Sequence, residues 1–267
     1  MLGIFDSGLG GLTVLRQLRR RLPEHDFLYL ADQAHVPYGD RSQDELQLFL
    51  RDNFDRLNKR GAELVVVACN TSCAVAMDRG WPAGEAPILN LIVNAAEAVA
   101  ALGARRIGVV ATTVTAKSGA YGRALRERIG GAHVTEVAAP ALVPLVEAGR
   151  YRGRAVRAAV EDACAPLPRK LDVLIYGCTH YPILDEHFAA VLGPDVVRLD
   201  PAIAQADAAV DFVRTAAIVP GSGATDYLTS GDVRSFADSV RSLLGEDAPN
   251  VGSMSAESGG RESVISK

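Results

Sequence analysis

Eight short runs rich in valine, isoleucine and leucine alternate along this chain with longer amphipathic stretches, and most of these runs are apolar on both faces. They read LGIF, FLYLA, LVVVA, PILNLIV, RIGVVA, HVTEVAA, LDVLIYG and DVVRLD. A strand with one wet face alternates polar and apolar residues; strands without that alternation must be covered on both sides, as in a mainly parallel sheet flanked by helices. Residues 13–22, 43–60, 74–79, 94–102, 118–129, 153–164 and 183–192 carry the helical patterns that supply the cover. The predicted fold class is therefore α/β.

Bulk properties narrow the function classes. With 267 residues, 48% hydrophobic content and 22% charge, the chain buries a large core without cross-links or metals. Its net charge is −4, and the basic residues are scattered apart from Arg19, Arg20 and Arg21, so no nucleic-acid footprint is expected. No stretch approaches 18 uninterrupted apolar residues, and the N-terminus lacks the basic and long apolar regions of a secretion signal. The expectation is a cytoplasmic protein that neither crosses nor binds a membrane, with Cys69, Cys73, Cys164 and Cys178 as free thiols.

A repeat emerges when the strands are aligned together with their succeeding turns. GIFDSGLGG from Gly3 and GVVATTVTAKSG from Gly108 are both strand-then-turn units. Each leads on to a strand that ends at a cysteine, 65 residues from Ile4 to Cys69 and 71 from Ile107 to Cys178. Two pseudo-symmetric α/β domains with the working site in the cleft between them are expected. The first spans residues 1–95 and is completed by 206–245; the second spans 96–205. From Glu246 the chain turns polar and rich in serine and glycine, so 246–267 reads as a disordered, dispensable tail.

In open parallel sheets the site lies beyond the carboxyl ends of the strands, where Cys69 and Cys178 both fall. A helix beginning near Cys73 and another opening at Pro182 would aim free amides at these positions, acidifying a thiol and holding a carboxylate. Cys73 and Cys164, within helical patterns, read as core thiols. Three other readings compete. A metal on the cysteines and His180 or His187 lacks CxxC or HExxH spacing. DSGLGG as a phosphate loop lacks the Lys-Ser/Thr ending of a P-loop; it better serves as a tight turn placing Asp6 and Ser7 at the sheet edge. A cysteine hydrolase using Cys178 and His180 leaves Cys69 idle. What needs two thiols is cofactor-free inversion of a carbon centre, with a base on one face and an acid on the other.

FDSGLGGLTV (5–14), ADQAHVPYGDRS (31–42), ACNTS (68–72), PALVPLVEAG (140–149) and GCTHYPIL (177–184), with YLTSGD near the end, resemble the cofactor-independent aspartate/glutamate racemase family, in its glutamate branch. The resemblance covers about residues 2–245. It implies that Cys69 and Cys178 are the acid/base pair, Cys69 acting on D-glutamate and Cys178 on L-glutamate, assisted by Asp6, Glu147 and His180. It further implies that Asp6, Ser7, Tyr38, Gly39, Asn70, Thr71, Thr179 and His180 contact glutamate. Alone, PYGD is a plain turn and Glu147 a solvated helix-end charge; the joint occurrence of the motifs gives them weight. No metal, nucleotide or other cofactor is implied. A homodimer supplying D-glutamate for peptidoglycan is. The chain departs from the pattern at Val93, Asn94 and Ala95, where an acidic residue and a proline are expected, and this predicts an altered helix start at the domain junction. Two alternatives remain: a racemase for aspartate or another amino acid, and a catalytically silent amino-acid-binding regulator.

Overall fold

The computed structural model describes residues 1–254. Its first half opens with β1 (Leu2–Asp6), α1 (Leu12–Arg21), β2 (Phe27–Ala31), α2 (Gln43–Lys59), β3 (Leu64–Val67), α3 (Asn70–Arg79), β4 (Ile88–Asn90) and α4 (Leu91–Ala101). The second half holds β5 (Arg106–Ala111), α5 (Thr113–Ser118), α6 (Ala120–Arg128), β6 (His133–Ala138), α7 (Leu142–Glu147), α8 (Arg154–Cys164), β7 (Val173–Gly177), α9 (Asp185–Leu192) and β8 (Val197–Leu199). The chain then returns through α10 (Pro201–Ala216), β9 (Thr225–Thr229), α11 (Val233–Leu244) and β10 (Asn250–Ser253).

Both sheets are wholly parallel, and the repeat is visible in their topology. One sheet runs β10-β9-β2-β1-β3-β4 and the other β6-β5-β7-β8. Numbered within each half, the first four strands take the order 2-1-3-4 twice. β3 pairs with β1 as β7 pairs with β5, so the residues just past Val67 and Gly177 lie at equivalent sheet edges. Every residue of β1, β2, β3 and β7 is buried, which is why these runs show no polar alternation. The edge strands β4 and β8 are only partly covered.

Three local features differ from the sequence expectation. PILNLIV is a strand only to Asn90, whose side-chain oxygen then accepts the amides of Ile92 and Val93 and caps α4. Its buried residues Leu91, Ile92, Ala95, Ala96 and Val99 fit a helical repeat that the continuous apolar run conceals. Asparagine capping thus starts the helix without a proline. Asn94 donates to Gln205 Oε1 at 2.6 Å, while Gln205 Nε2 donates to the carbonyls of Val67 and Leu89, tying α4, α10 and two strand ends together. Helix α7 has no counterpart among the sequence patterns, since its six residues include Pro144 and span too few turns for periodicity.

The third difference corrects the tail. Residues 250–253 form β10, paired in parallel with β9, and Glu246 Oε2 accepts from Arg19 Nη1 and the Tyr227 hydroxyl, each at 2.7 Å. An edge strand needs only backbone partners on one side, so Asn-Val-Gly-Ser can pair without the apolar periodicity that marks central strands. Residues 255–267 lie outside the described residues. Among the described residues, no helix is long and apolar enough to cross a membrane.

Candidate active site

Each sheet delivers one cysteine to a common cavity, lined from the first half by Ser7, Tyr38, Gly39, Cys69, Asn70 and Thr71 and from the second by Cys178, Thr179 and His180. Both thiols are buried, with 4% and 5% exposure. Their surroundings differ. Helix α3 begins at Asn70 rather than near Cys73, and Cys69 is its N-cap: Sγ accepts the Ser72 amide at 3.5 Å and donates to Ser7 Oγ at 3.6 Å. The helix terminus does act in the acidifying direction through the Ser72 amide, as expected, but it is not the dominant influence. Burial, reinforced by the neighbouring Asp6 carboxylate, outweighs the Ser72 and Ser7 contacts and pushes the Cys69 thiol up to about 11.

Cys178 instead faces an ion pair. Its Sγ lies 3.5 Å from His180 Nδ1, and His180 Nε2 donates to Glu147 Oε1 at 2.5 Å. Burial works against the imidazolium, yet Cys178 and Glu147 outweigh it and hold His180 well above the usual histidine range. Burial would likewise raise Glu147, but its hydrogen bond to His180 brings the carboxyl below the ordinary value. The two thiols therefore sit beside opposite charge: an imidazolium next to Cys178, a carboxylate near Cys69.

Asp6 and Glu147 do not line the cavity. Asp6 is fully buried, and its Oδ2 accepts the amides of Gly8 and Gly11 at 2.9 and 3.0 Å. Thr179, which lines the cavity, reaches Asp6 Oδ1 through Oγ1 at 3.4 Å and so links the halves. Burial raises the Asp6 pKa despite His180 and these amides. Glu147 also accepts the Leu9 amide at 3.1 Å. Three amides of DSGLGG, those of Gly8, Leu9 and Gly11, are thus spent on protein carboxylates. Its glycines serve close approach: a Cβ on Gly10 would fall 2.6 Å from His180 Nδ1 and 2.8 Å from the His180 amide nitrogen.

The PYGD segment lies in a short 3₁₀ turn, Tyr38–Asp40, against the second half. The Tyr38 hydroxyl donates to Asp32 Oδ2 at 2.5 Å, so its ring rather than its hydroxyl is available to the cavity. Asp32 also accepts from Ser230 Oγ at 2.7 Å, anchoring this wall to the loop after β9. A Cβ on Gly39 would stand 2.7 Å from Thr112 Cβ.

Sequence reasoning missed the threonines at the end of β5. Thr112 and Thr113 line the cavity, and Thr112 Oγ1 lies 2.9 Å from Thr71 Oγ1 while donating to Thr115 Oγ1 at 2.9 Å. The repeat carried the signal: counted from Gly3 and Gly108, Ser7 and Thr112 occupy the same place. Cys73 and Cys164 do not line the cavity, in keeping with core thiols. Among the described residues, no group of three or more His, Cys, Asp or Glu side chains is arranged to hold a metal.

The profile of the Asp/Glu/Hydantoin racemase family matches residues 12–210. The chain belongs to that family. It is 41% identical over 247 residues to a glutamate racemase from Gloeobacter violaceus, covering 90% of this chain and 91% of the relative. A glutamate racemase isoform from Bacillus anthracis superposes with a TM-score of 0.88 at 32% identity, covering 95% of this chain and 97% of that one. A Francisella tularensis glutamate racemase solved with D-glutamate superposes with a TM-score of 0.86 at 26% identity, over 96% and 98% of the two chains. These relatives are glutamate racemases, and at the site described above both halves of this chain contribute a thiol to one cavity.

Proposed function

We propose that this enzyme interconverts L- and D-glutamate without a cofactor, using Cys69 and Cys178 as a two-base pair. The observation that carries the reading is that the two topologically equivalent strand ends each bring one thiol to a single cavity. A base on one side of Cα takes its proton, and the electron pair left on carbon is delocalised into the adjacent carboxylate. A thiol on the other side then delivers a proton, and the roles reverse for the opposite substrate. Cys178 acts on L-glutamate and Cys69 on D-glutamate in this scheme.

The electrostatics suit those roles. The His180 imidazolium, held by Glu147, stands 3.5 Å from the Cys178 sulfur and so places positive charge on that side of the cavity. Cys69, pushed up to about 11, is a protonated donor. An incoming ammonium group would lower it towards use as a base. Ser7, Asn70, Thr71 and Thr179 supply hydrogen-bonding groups to hold the carboxylates, with Tyr38 and Gly39 shaping the wall. Asp6 and Glu147 act from behind the lining residues, positioning Thr179 and His180. In the cell this reading makes the enzyme a cytoplasmic homodimer that supplies D-glutamate for peptidoglycan. Names and bound ligand of the similar proteins support glutamate as substrate.

The test combines variants with solvent labelling. Enantiomers are equal in free energy, so kcat/KM must be the same in both directions, and losing either thiol must damage both. Cys69→Ser and Cys178→Ser should each lose about 10²–10⁴-fold or more in racemisation, the usual weight of general acid–base catalysis. Cys73→Ser and Cys164→Ser should turn over nearly normally. In deuterated water the product enantiomer should carry solvent deuterium at Cα. Product that keeps the substrate's own hydrogen, or a Cys69→Ser enzyme with substantial turnover, would refute two-base transfer; no glutamate turnover by the wild type would refute the substrate.

A further inference from the structure

We infer that Tyr121, on α6 of the second half, is a positioning residue that orients the Asn70 carboxamide so that its amino group faces the substrate; the inference rests on the function proposed above. Asn70 opens α3 in the first half and lines the cavity with 2% exposure. Its Oδ1 accepts the Tyr121 hydroxyl at 2.6 Å, while its Nδ2 is buried with no hydrogen-bond partner among the described residues. A carboxamide is nearly symmetric in shape, so packing alone does not tell its two ends apart. A hydroxyl that donates does. Tyr121 is itself fully buried, and turning the amide over would set the amino group against its hydroxyl and leave the O–H without an acceptor.

The consequence is a buried N–H donor presented to the cavity, which calls for an anionic acceptor such as a substrate carboxylate. Tyr121 touches the amide from outside the cavity and is not among its lining residues. Because the bond joins α6 to α3, the donor is correctly aimed only when the two halves are closed on each other. Neighbouring Thr71, Thr112 and Thr115 hydroxyls bond mainly among themselves, whereas the buried Asn70 amino group has no partner among the described residues.

The test is a Tyr121→Phe enzyme measured for kcat, KM, D-glutamate and glutarate affinity by calorimetry, and melting temperature. Freed from the hydroxyl, the amide samples both orientations. KM and both Kd values should rise about tenfold while kcat changes by less than about threefold, the loss of one hydrogen bond to a charged group. In an Asn70→Ala background the same substitution should add nothing to KM. Asn70→Asp, which keeps an acceptor for Tyr121 and removes the donor, should lose affinity as far as Asn70→Ala does. A merely structural tyrosine would lower the melting temperature and kcat while leaving KM alone. Unchanged KM and Kd in Tyr121→Phe, an equal rise in the Asn70→Ala background, or a wild type that binds neither ligand would overturn the inference. A wild type that binds D-glutamate without racemising it refutes the proposed reaction, and the Kd ratios still decide the role of Tyr121.

Discussion

Cys69 and Cys178 hold equivalent places in two copies of one strand order, yet the side chains around them are not equivalent. Glu147 shows how much a single contact matters. Its carboxylate, held below the ordinary value of 4.5, and the His180 imidazolium, held well above 6.5, stabilise each other in the folded state. The histidine contribution is fully present below pH 6.5 and disappears as pH rises through the folded value; the glutamate contribution is present above pH 4.5 and disappears as pH falls through its folded value. Between those limits the pair is intact. Replacing Glu147 with glutamine removes one of the charges that keep His180 protonated. The alkaline limb of the kcat/KM profile should then move down by about 1–3 pH units, the usual effect of a close opposite charge, and by the same amount for L- and D-glutamate. A pH-rate series on both enantiomers measures this, and an unmoved limb would remove Glu147 from the assisting pair.

At the scale of elements, the sequence patterns worked where burial is complete and failed where partners come from elsewhere in the chain. β1, β2, β3 and β7 announce themselves because both faces need apolar side chains. β10 does not, because Asn250 and Ser253 are held by backbone pairing to Asp226 and Thr229. The truncation that a dispensable tail would tolerate is therefore expected to cost stability. A chain ending at Gly245 loses β10, the Glu246 contacts to Arg19 and Tyr227, and the buried Met254 side chain. The cost should be about 2–4 kcal/mol, from a large buried side chain and a partly buried hydrogen-bonded charge. At about 2–4 °C per kcal/mol for a domain of this size, melting should fall by about 4–16 °C. Calorimetry of the two chain lengths checks it, and coincident transitions would mean that the strand adds nothing. The start of α4 teaches a similar lesson: Asn90 caps the helix from inside an apolar run, so the boundary was legible only in a side chain's hydrogen bonds.

For the whole molecule, the governing fact is that the two halves meet tightly over the site. Gly8, Gly10 and Gly39 are glycines because a Cβ on each would collide with the opposite half. With Cys69 and Cys178 at 4% and 5% exposure, reagents reach either thiol only when the halves part. Iodoacetamide should therefore inactivate slowly, and saturating glutamate should slow it at least about tenfold by favouring the closed state. Peptide mapping should find that protection on Cys69 and Cys178. Equal alkylation rates with and without glutamate would place the thiols away from the ligand. The sequence by itself determined the α/β class, the doubled strand-and-cysteine device and the candidate residues in its motifs, because buried parallel strands and tight turns impose composition locally. Only the tertiary structure decided that Asp6 and Glu147 stand behind the residues lining the cavity, that Thr112 lines it and Tyr121 bonds to Asn70, and that Cys69 is held up to about 11 while Cys178 faces an imidazolium. Those properties depend on burial and on charges brought in from distant parts of the chain, and neither is written in the neighbours of any one residue.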